Sequence, residues 1–483
     1  MRAVVVADET PEAAALTQQL ASAMKLVNDK DWPRALAALR AVVDARAFRS
    51  LSRDVQYRAL AAAGRVATYH GPAKLGYEYL GRLVAMPQSN YDDWLERLRA
   101  AEKLDHSADT VSTLTVMMQR WPDRSGQLNP DYIMKVVNEA RGLPNDRAWS
   151  LLQALFAAHW KLKWGIEASA AWRDLTLLLL EKGRISDAVN VSAHVTDVYV
   201  LVAMRADRRF DVIVAASPAQ FDIEAATERE FQALQEAAEK SPQSLALKSW
   251  VIDSLLRQQH YEAALAAADS VLSDIRSTNY PEKLFEDYAD RESWFLNLRS
   301  IALQRVGRWD EALAQLAAAS LLPEQFGGNV DQLINLGYLD CALGRPRDAL
   351  AAIGSVVERT SPYGAMQKQA VILDAAVQLA DAKQIERSLQ YLHMHREDAP
   401  DIYEDALVIA NQLRRAAHVL VAQLLDTSER QDALLSIQAF APTPGTPRDM
   451  EIDARRRAVI LRPDVQAATK KVGRVDSYRL EAP

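Results

Sequence analysis

A short phrase that ends one helix and begins another recurs along the chain, and it constrains the fold more than any other feature. Each copy has a turn residue, then an aromatic, apolar or prolyl residue, then a small residue early in a second helix. The clearest copies begin at Lys30, Gly183, Gln259, Gly307 and Gly344. Glycine ends a helix by taking a left-handed backbone conformation. Acidic side chains then suit the positive end of the next helix dipole.

The small residue of this phrase marks a period. The markers are Ala35, Gly76, Thr110, Ala148, Ala188, Glu230, Ala264, Ala312, Ala349 and Ser388. A spacing from 34 residues upward, with two helices per unit, is typical of helical-repeat solenoids. One pair cannot bury its own apolar face, and Leu350, Ile353 and Val356 form such a face after Ala349. The sequence therefore predicts an all-α solenoid of antiparallel helix pairs that stack on their neighbours.

The units resemble tetratricopeptide repeats. Trp94 and Trp172 precede their markers at the distance where that family has its tryptophan, and Leu336-Gly337 matches its mid-helix pair. Three prolines occupy the family's closing position: Pro122, Pro242 and Pro400. No unit carries every family position, so the resemblance is to degenerate repeats. It implies a right-handed superhelix that binds a protein or peptide on its concave face.

The period also predicts the domain organisation. We expect a short N-terminal segment at 1–11 and about ten or eleven helix pairs over 12–440, with an insertion at 273–288. Three prolines within 441–447 predict a linker, because proline disrupts helices. Residues 448–483 are expected to form a short helix and a tail that either caps the last repeat or is mobile.

Composition limits the compartment and the partners. The net charge of −7 argues against a nucleic-acid partner. The single cysteine, Cys341, excludes an internal disulfide, and no apolar run approaches the roughly 20 residues that span a bilayer. The apolar stretch after Met1 is shorter than a signal peptide requires. We expect a cytoplasmic protein. A periplasmic location is the alternative if a signal peptide is missing from this sequence.

The sequence lacks several motifs that carry catalysis in known enzyme classes. The sequence has no phosphate-binding glycine loop, no nucleophile elbow and no zinc-protease motif. His393 and His395 would point to different faces of a helix, so they make a poor metal pair. Cys341 is expected to be a buried, inert thiol. The prediction is a protein without catalytic residues, metal or cofactor.

Two sets of residues are candidate binding sites. Helical register predicts that the concave groove is lined by residues of first helices: Arg173, Asn297, Ile301, Asp331, Ile334 and Tyr338. An aromatic patch consists of Trp160 and Trp164, which are four apart and so share a helical face, together with Trp172. These rings either form a stacking platform for a sugar or peptide or fill the space between repeats.

Three functions remain open at this point. The leading prediction is a scaffold or adaptor that binds a protein or peptide in its groove. The alternative is a bacterial cell-envelope component of polysaccharide secretion or assembly, in which the tryptophan patch contacts glycan. A third is that the helices regulate an enzyme through the insertion or the tail.

Overall fold

A computed structural model describes residues 10–322, 329–356 and 360–483. Most of the predicted N-terminal segment 1–11 therefore lies outside the described residues. The described chain is almost entirely helical and forms two compact units, which divide between Gly183 and Arg184. None of its described helices combines the length and the apolar character that crossing a membrane requires. Unit 1 runs to Gly183 and unit 2 runs from Arg184 to Pro483.

Unit 1 consists of successive packed helices. They are α1 (Pro11–Asn28), α2 (Trp32–Val43), α3 (Arg53–His70), α4 (Ala73–Val84), α5 (Tyr91–Glu102), α6 (Ser107–Arg120), α7 (Pro130–Arg141), α8 (Asn145–Ala157) and α9 (Ser169–Glu181). The pairs α1–α2, α3–α4 and α5–α6 are joined by short turns and pack together. The first helix of a pair is called helix A and the second helix B. Helices A of these three pairs also contact one another in sequence order.

Unit 2 begins with α10 (Ile185–Ser192), α11 (Val198–Ala206), α12 (Asp211–Ala216) and α13 (Ile223–Lys240). Its helix pairs are α14 (Leu245–Arg257) with α15 (Tyr261–Arg276), α17 (Tyr288–Arg305) with α18 (Trp309–Ser320), α19 (Val330–Ala342) with α20 (Pro346–Gly354), α21 (Pro362–Gln378) with α22 (Ala382–Met394), and α23 (Pro400–Ile409) with α24 (Leu413–Leu425). Consecutive helices A form one contacting row from α14 through α23. The predicted all-α architecture of stacked helix pairs is thus confirmed within the described residues.

The turns between helices have the predicted chemistry. Gly183, Gly307 and Gly344 take φ angles of 71°, 76° and 71°. Lys30 and Gln259 occupy the same place in their turns with φ angles of 59° and 60°. A side chain in this conformation is strained, and glycine is not. The left-handed residue is therefore a property of the turn, which glycine satisfies at least cost.

The small residues that open helices B are buried where the helices touch. Ala35, Ala264, Ala312 and Ala349 are each 0% exposed. A larger side chain there would separate helix B from its neighbours, because protein interiors are close-packed. The marker at Glu230 differs, since it falls within the long helix α13.

The predicted insertion at 273–288 caps a neighbouring helix. Helix α15 continues to Arg276, and α16 (Pro281–Leu284) leads to the buried Phe285. The carboxylate of Asp287 then accepts hydrogen bonds from the backbone N–H groups of Leu245 and Ala246, at 2.7 and 3.0 Å. These donors have no partner within α14, because they lie in its first turn.

The C-terminal segment returns to the helices of unit 2. It comprises α25 (Arg430–Ser436), β1 (Ala439–Phe440), α26 (Pro447–Ile460), α27 (Pro463–Val472) and β2 (Ser477–Tyr478). The two short strands pair in parallel. Helix α26 packs against α19, α23 and α24, and α27 packs against α24. Val459 and Val465 enter the same apolar core as α23 and α24.

Candidate functional site

An open groove of about 840 Å³ lies along the helices A of unit 1. Most of its lining comes from α1 and α3, with Asp93 from α5 and Trp32 from α2. The floor is apolar and includes Leu20 and Met24 of α1 and Val66 of α3. Ala61 and Ala62 of α3 line the groove with only a methyl group each. Short side chains at these two positions keep the groove open.

A hydrogen-bonded cluster forms part of the groove wall. The Tyr57 hydroxyl donates to Asp93 Oδ2 at 2.6 Å and accepts from Asn90 Nδ2 at 3.0 Å. Burial, followed by the hydrogen bond to Asp93, raises the pKa of Tyr57 to about 12. Asp93 is 1% exposed, and its carboxylate also accepts from the Asn90 backbone N–H, which closes the capping box of α5. The cluster therefore fixes Asp93 in one orientation at the wall.

One oxygen of this carboxylate is left without a hydrogen bond. Among the described residues, Asp93 Oδ1 has no hydrogen-bond partner, and the nearest cation, Arg65 Nη2, is 3.9 Å away. A buried carboxylate oxygen without a donor is costly. The wall thus offers an acceptor that a bound N–H or O–H group can satisfy.

Exposed polar groups flank the apolar floor. Arg58 pairs with Asp54 at 3.0 Å and is 59% exposed, and Arg65 is 48% exposed. Trp32 stacks on His70 with ring centroids 4.0 Å apart. An apolar floor with a polar rim is the usual anatomy of a surface that binds an extended segment of another protein.

The predicted groove residues fall into two sets. Arg173 belongs to unit 1, where it pairs with Asp174 at 2.8 Å, and the other five belong to unit 2. Ile334 is 0% exposed, so its prediction as a groove-lining residue is wrong: register placed it on α19 but could not show which face its neighbours cover. The Tyr338 hydroxyl donates to the Gln367 carbonyl at 3.3 Å, and burial raises the pKa of Tyr338.

The remaining three predicted groove residues are partly buried. Asn297 and Ile301 lie on α17, and Ile301 packs against an apolar core. Asp331 lies in the first turn of α19. Their role in binding stays a prediction.

The tryptophan patch does not have the predicted geometry. Helix α8 ends at Ala157, and His159 follows with a φ of 50°, so Trp160 and Trp164 do not share a helical face. Trp160 and Trp172 are 2% and 1% exposed and make an edge-to-face contact at 6.5 Å between centroids. These two rings therefore fill the space between helices and present no face for stacking. Trp164 contacts Lys163 Nζ at 4.4 Å from its ring centroid.

A second cavity, of about 570 Å³, lies in unit 2 at α23, α24, α25 and α26. Five carboxyl side chains line it: Asp401, Glu404, Asp405, Glu429 and Asp432. Arg456 of α26 is the cation in its lining and bonds Asp405 at 2.5 Å. Apolar surface comes from residues that include Leu420 and Ile437. This cavity combines an excess of negative charge with an apolar wall.

The sequence contains a signal for the groove that is separate from the repeat period. Tyr57, Ala61, Arg65 and Tyr69 recur every four residues, which places them on one face of α3. A stripe of aromatic, small and basic residues is unlike the aliphatic stripe of a buried face. Asp93 had no such signal, because it comes to the groove from another helix pair.

Cys341 is buried, and His393 and His395 contact different side chains. Cys341 is 1% exposed, and burial raises the pKa of its thiol. His393 Nδ1 lies 3.0 Å from the Tyr403 hydroxyl, whereas His395 Nδ1 lies 3.2 Å from Asp398. The two rings thus have separate partners. No group of three potential metal ligands was found among the described residues.

Solved structures match the chain with low identity and low TM-scores. No protein-family model matches the chain, and no curated protein matches it. Similar solved structures include the APC/C hetero-tetramer Cut9–Hcn1, with 12% identity, 94% and 89% coverage of this chain and that chain, and a TM-score of 0.30. Apo RapI has 9% identity, 92% and 98% coverage and a TM-score of 0.29. Yeast Tom70 has 12% identity, 87% and 98% coverage and a TM-score of 0.25.

The described residues show an all-α fold of packed helix pairs, and the resemblance to tetratricopeptide repeats stays a prediction from the sequence. Identities and TM-scores as low as these carry no inference about its fold or its partner.

Proposed function

We propose that this protein is a non-enzymatic adaptor, and that the helix A groove of unit 1 binds an extended segment of a partner protein. The observation that carries the proposal is the open groove itself, with its apolar floor and the buried, unsatisfied Asp93 Oδ1 at its wall. An apolar side chain of the partner would fill the space above Ala61 and Ala62. A neighbouring N–H group would donate to Asp93.

The arrangement of unit 2 favours the groove of unit 1 as the partner-binding site. The helix A row of unit 2 is covered by the chain's own C-terminal segment. Arg448 of α26 bonds Asp374 of α21 at 2.6 Å, and Arg455 donates to the Ile409 carbonyl of α23 at 2.7 Å. Further along, the Glu481 backbone N–H donates to the Arg257 carbonyl of α14 at 2.8 Å. The helix A face of unit 2 is therefore covered by α26, whereas the helix A face of unit 1 carries the open groove.

The proposal also includes the extent of the repeat region and the cellular compartment. Residues 12–440 form one succession of helix pairs, and the protein acts in the cytoplasm. The cell-envelope alternative gains no support from the tryptophan patch, since Trp160 and Trp172 are buried.

Filling the groove should abolish peptide binding. Peptides are first selected from a random phage-displayed library with the full chain as bait, and their affinities are measured by fluorescence anisotropy. Ala61→Trp puts an indole where the partner's apolar side chain would lie. We expect at least about tenfold weaker binding, because about 1.4 kcal/mol of lost contact corresponds to that factor.

Ala37→Trp is the matched control, since Ala37 is exposed on the helix B α2. It should leave affinity within about twofold. Selected peptides that bind both variants equally well would show that the groove is not the binding site.

A further inference from the structure

The acid-lined cavity of unit 2 contains a side chain that the fold leaves without a partner. Glu404 is only 9% exposed and lines the cavity. Within the part of the chain that the structure describes, its carboxyl group makes no hydrogen bond or ion pair. Gln423, also 9% exposed and also in the lining, is likewise without a hydrogen bond to described residues. Among the described residues, neither side chain has a buried polar atom without a partner, so their polar groups face the cavity, where a ligand can satisfy them.

The charges around Glu404 select the sign of that ligand. Asp401 and Asp405 flank it on α23, and Glu429 and Asp432 come from the segment around α25. Arg456 of α26 faces the same cavity, but it bonds Asp405. Negative charge thus exceeds positive charge around the cavity, and a cation would be attracted.

The lining also selects the kind of cation. A divalent metal needs several oxygen ligands converging on one point, and no group of three possible metal ligands occurs among the described residues. The carboxyl groups are instead distributed around a cavity of about 570 Å³ that Leu420, Ile437 and Phe440 also line. An aliphatic stem can lie against these side chains while its charged head reaches the carboxylates.

We infer that this cavity binds an aliphatic chain that ends in a guanidinium or ammonium group, with Glu404 and Asp432 as its anionic contacts and Leu420 and Ile437 against its stem. The chemistry fits a free polyamine-like molecule and equally the side chain of a partner's arginine or lysine. The inference does not depend on the groove of unit 1, because no residue is shared between the two sites.

Binding should depend on pH in a defined direction. Burial, followed by the nearby Asp405, raises the pKa of Glu404 to about 8, although Arg456 acts in the opposite sense. The folded chain therefore holds this proton more tightly than the unfolded chain. The resulting stability is complete below about pH 4.5 and is lost as the pH rises through about 8.

A bound cation stabilises the ionised carboxylate, so the ligand and the proton compete. Affinity should rise about tenfold for each pH unit by which the cation lowers the pKa of Glu404.

Isothermal titration calorimetry with the full chain tests the inference. Agmatine should bind about tenfold more tightly near pH 9 than near pH 6. Glu404→Gln should reduce that pH response, of which a part remains because burial also raises the pKa of Asp405, and at the higher pH it should bind about tenfold more weakly than the wild type. Asp432→Asn, at an exposed position of the lining, should weaken binding severalfold but keep the pH response. Thermal melts verify that each variant is folded.

Matched ligands and variants decide between the outcomes. N-acetyl-arginine amide that binds at least as tightly as agmatine would identify a partner's arginine, and agmatine binding alone would identify a free cation. N-acetyl-citrulline amide, which has nearly the same shape without the charge, should not bind. Glu262→Gln, at an exposed carboxylate outside the cavity, should change nothing, and so should Ala61→Trp. Equal binding of citrulline, an undiminished pH response in Glu404→Gln, or no binding of either cation would overturn the inference.

Discussion

Gly76→Ala should lower the free energy of unfolding of unit 1 by about 3 kcal/mol or more, an unusually large cost for adding one methyl group. Gly76 opens helix B of its pair and lies against α3. A Cβ atom there would be 2.2 Å from Thr68 Oγ1 and 2.7 Å from the Thr68 backbone nitrogen. The side chain of Thr68 already donates to the Gly64 carbonyl at 2.8 Å, so it cannot turn away without losing that bond. The contact includes backbone, and the two helices would have to separate.

The measurement is chemical denaturation of the full chain, with hydrogen exchange over residues 53–84 to locate the loss. Because α3 also carries Ala61 and Arg65, the same variant should weaken peptide binding in the groove of unit 1. Gly142→Ala is the control, since a Cβ there would meet the Glu139 carbonyl at an ordinary 3.6 Å. It should change stability by less than about 1 kcal/mol. Equal effects of the two substitutions would contradict the close approach of α3 and α4.

The features predicted correctly from the sequence depend on neighbours close in the chain. Gly307 ends one helix and Ala312 opens the next, and the six residues from Gly307 to Ala312 contain all of the required chemistry. Repetition of that phrase then implies stacked pairs, because each pair leaves an apolar face uncovered. The observed φ of 76° at Gly307 and the burial of Ala312 agree with this reasoning.

The predicted tryptophan face is wrong because α8 ends earlier than the periodicity of the sequence indicates. Trp160 and Trp164 have helical spacing, but α8 has already ended at Ala157. His159 takes the left-handed conformation that glycine usually takes at the end of a helix, so the sequence does not mark the end of α8 with a glycine. The two rings therefore point in directions that a helical wheel does not give.

Neither candidate site could be assembled from the sequence. Asp93 reaches the groove from α5, and Arg456 reaches Asp405 across 51 residues because α26 folds back on the helices of unit 2. The proline-rich stretch before α26 predicts an interruption of helix, but it does not indicate where the chain goes next. The position of the C-terminal segment is decided by tertiary packing, which has no periodic signal.

Breaking the ion pair between Arg448 and Asp374 should release this segment. The pair joins α26 to α21 at 2.6 Å, with side chains 12% and 7% exposed. Arg448→Met leaves the Asp374 carboxylate buried without its cation, and removal of one partner of a buried pair costs about 3–5 kcal/mol. We expect that decrease in the free energy of unfolding of unit 2, measured by chemical denaturation. Limited proteolysis should cut faster within residues 441–446, which lead into α26 and lack helix.

Two controls distinguish the loss of a buried ion pair from the effect of replacing any paired arginine by methionine. Arg308→Met removes a pair with Glu311 in which the two side chains are 44% and 56% exposed, and it should lower stability far less than Arg448→Met, because water screens an exposed pair. Adding Asp374→Leu to Arg448→Met removes the uncompensated charge and should restore most of the lost stability. If Arg448→Met cost no more than Arg308→Met, the pair would not anchor α26. The covering of the helix A row in unit 2 would then depend on the apolar contacts of Val459 and Val465.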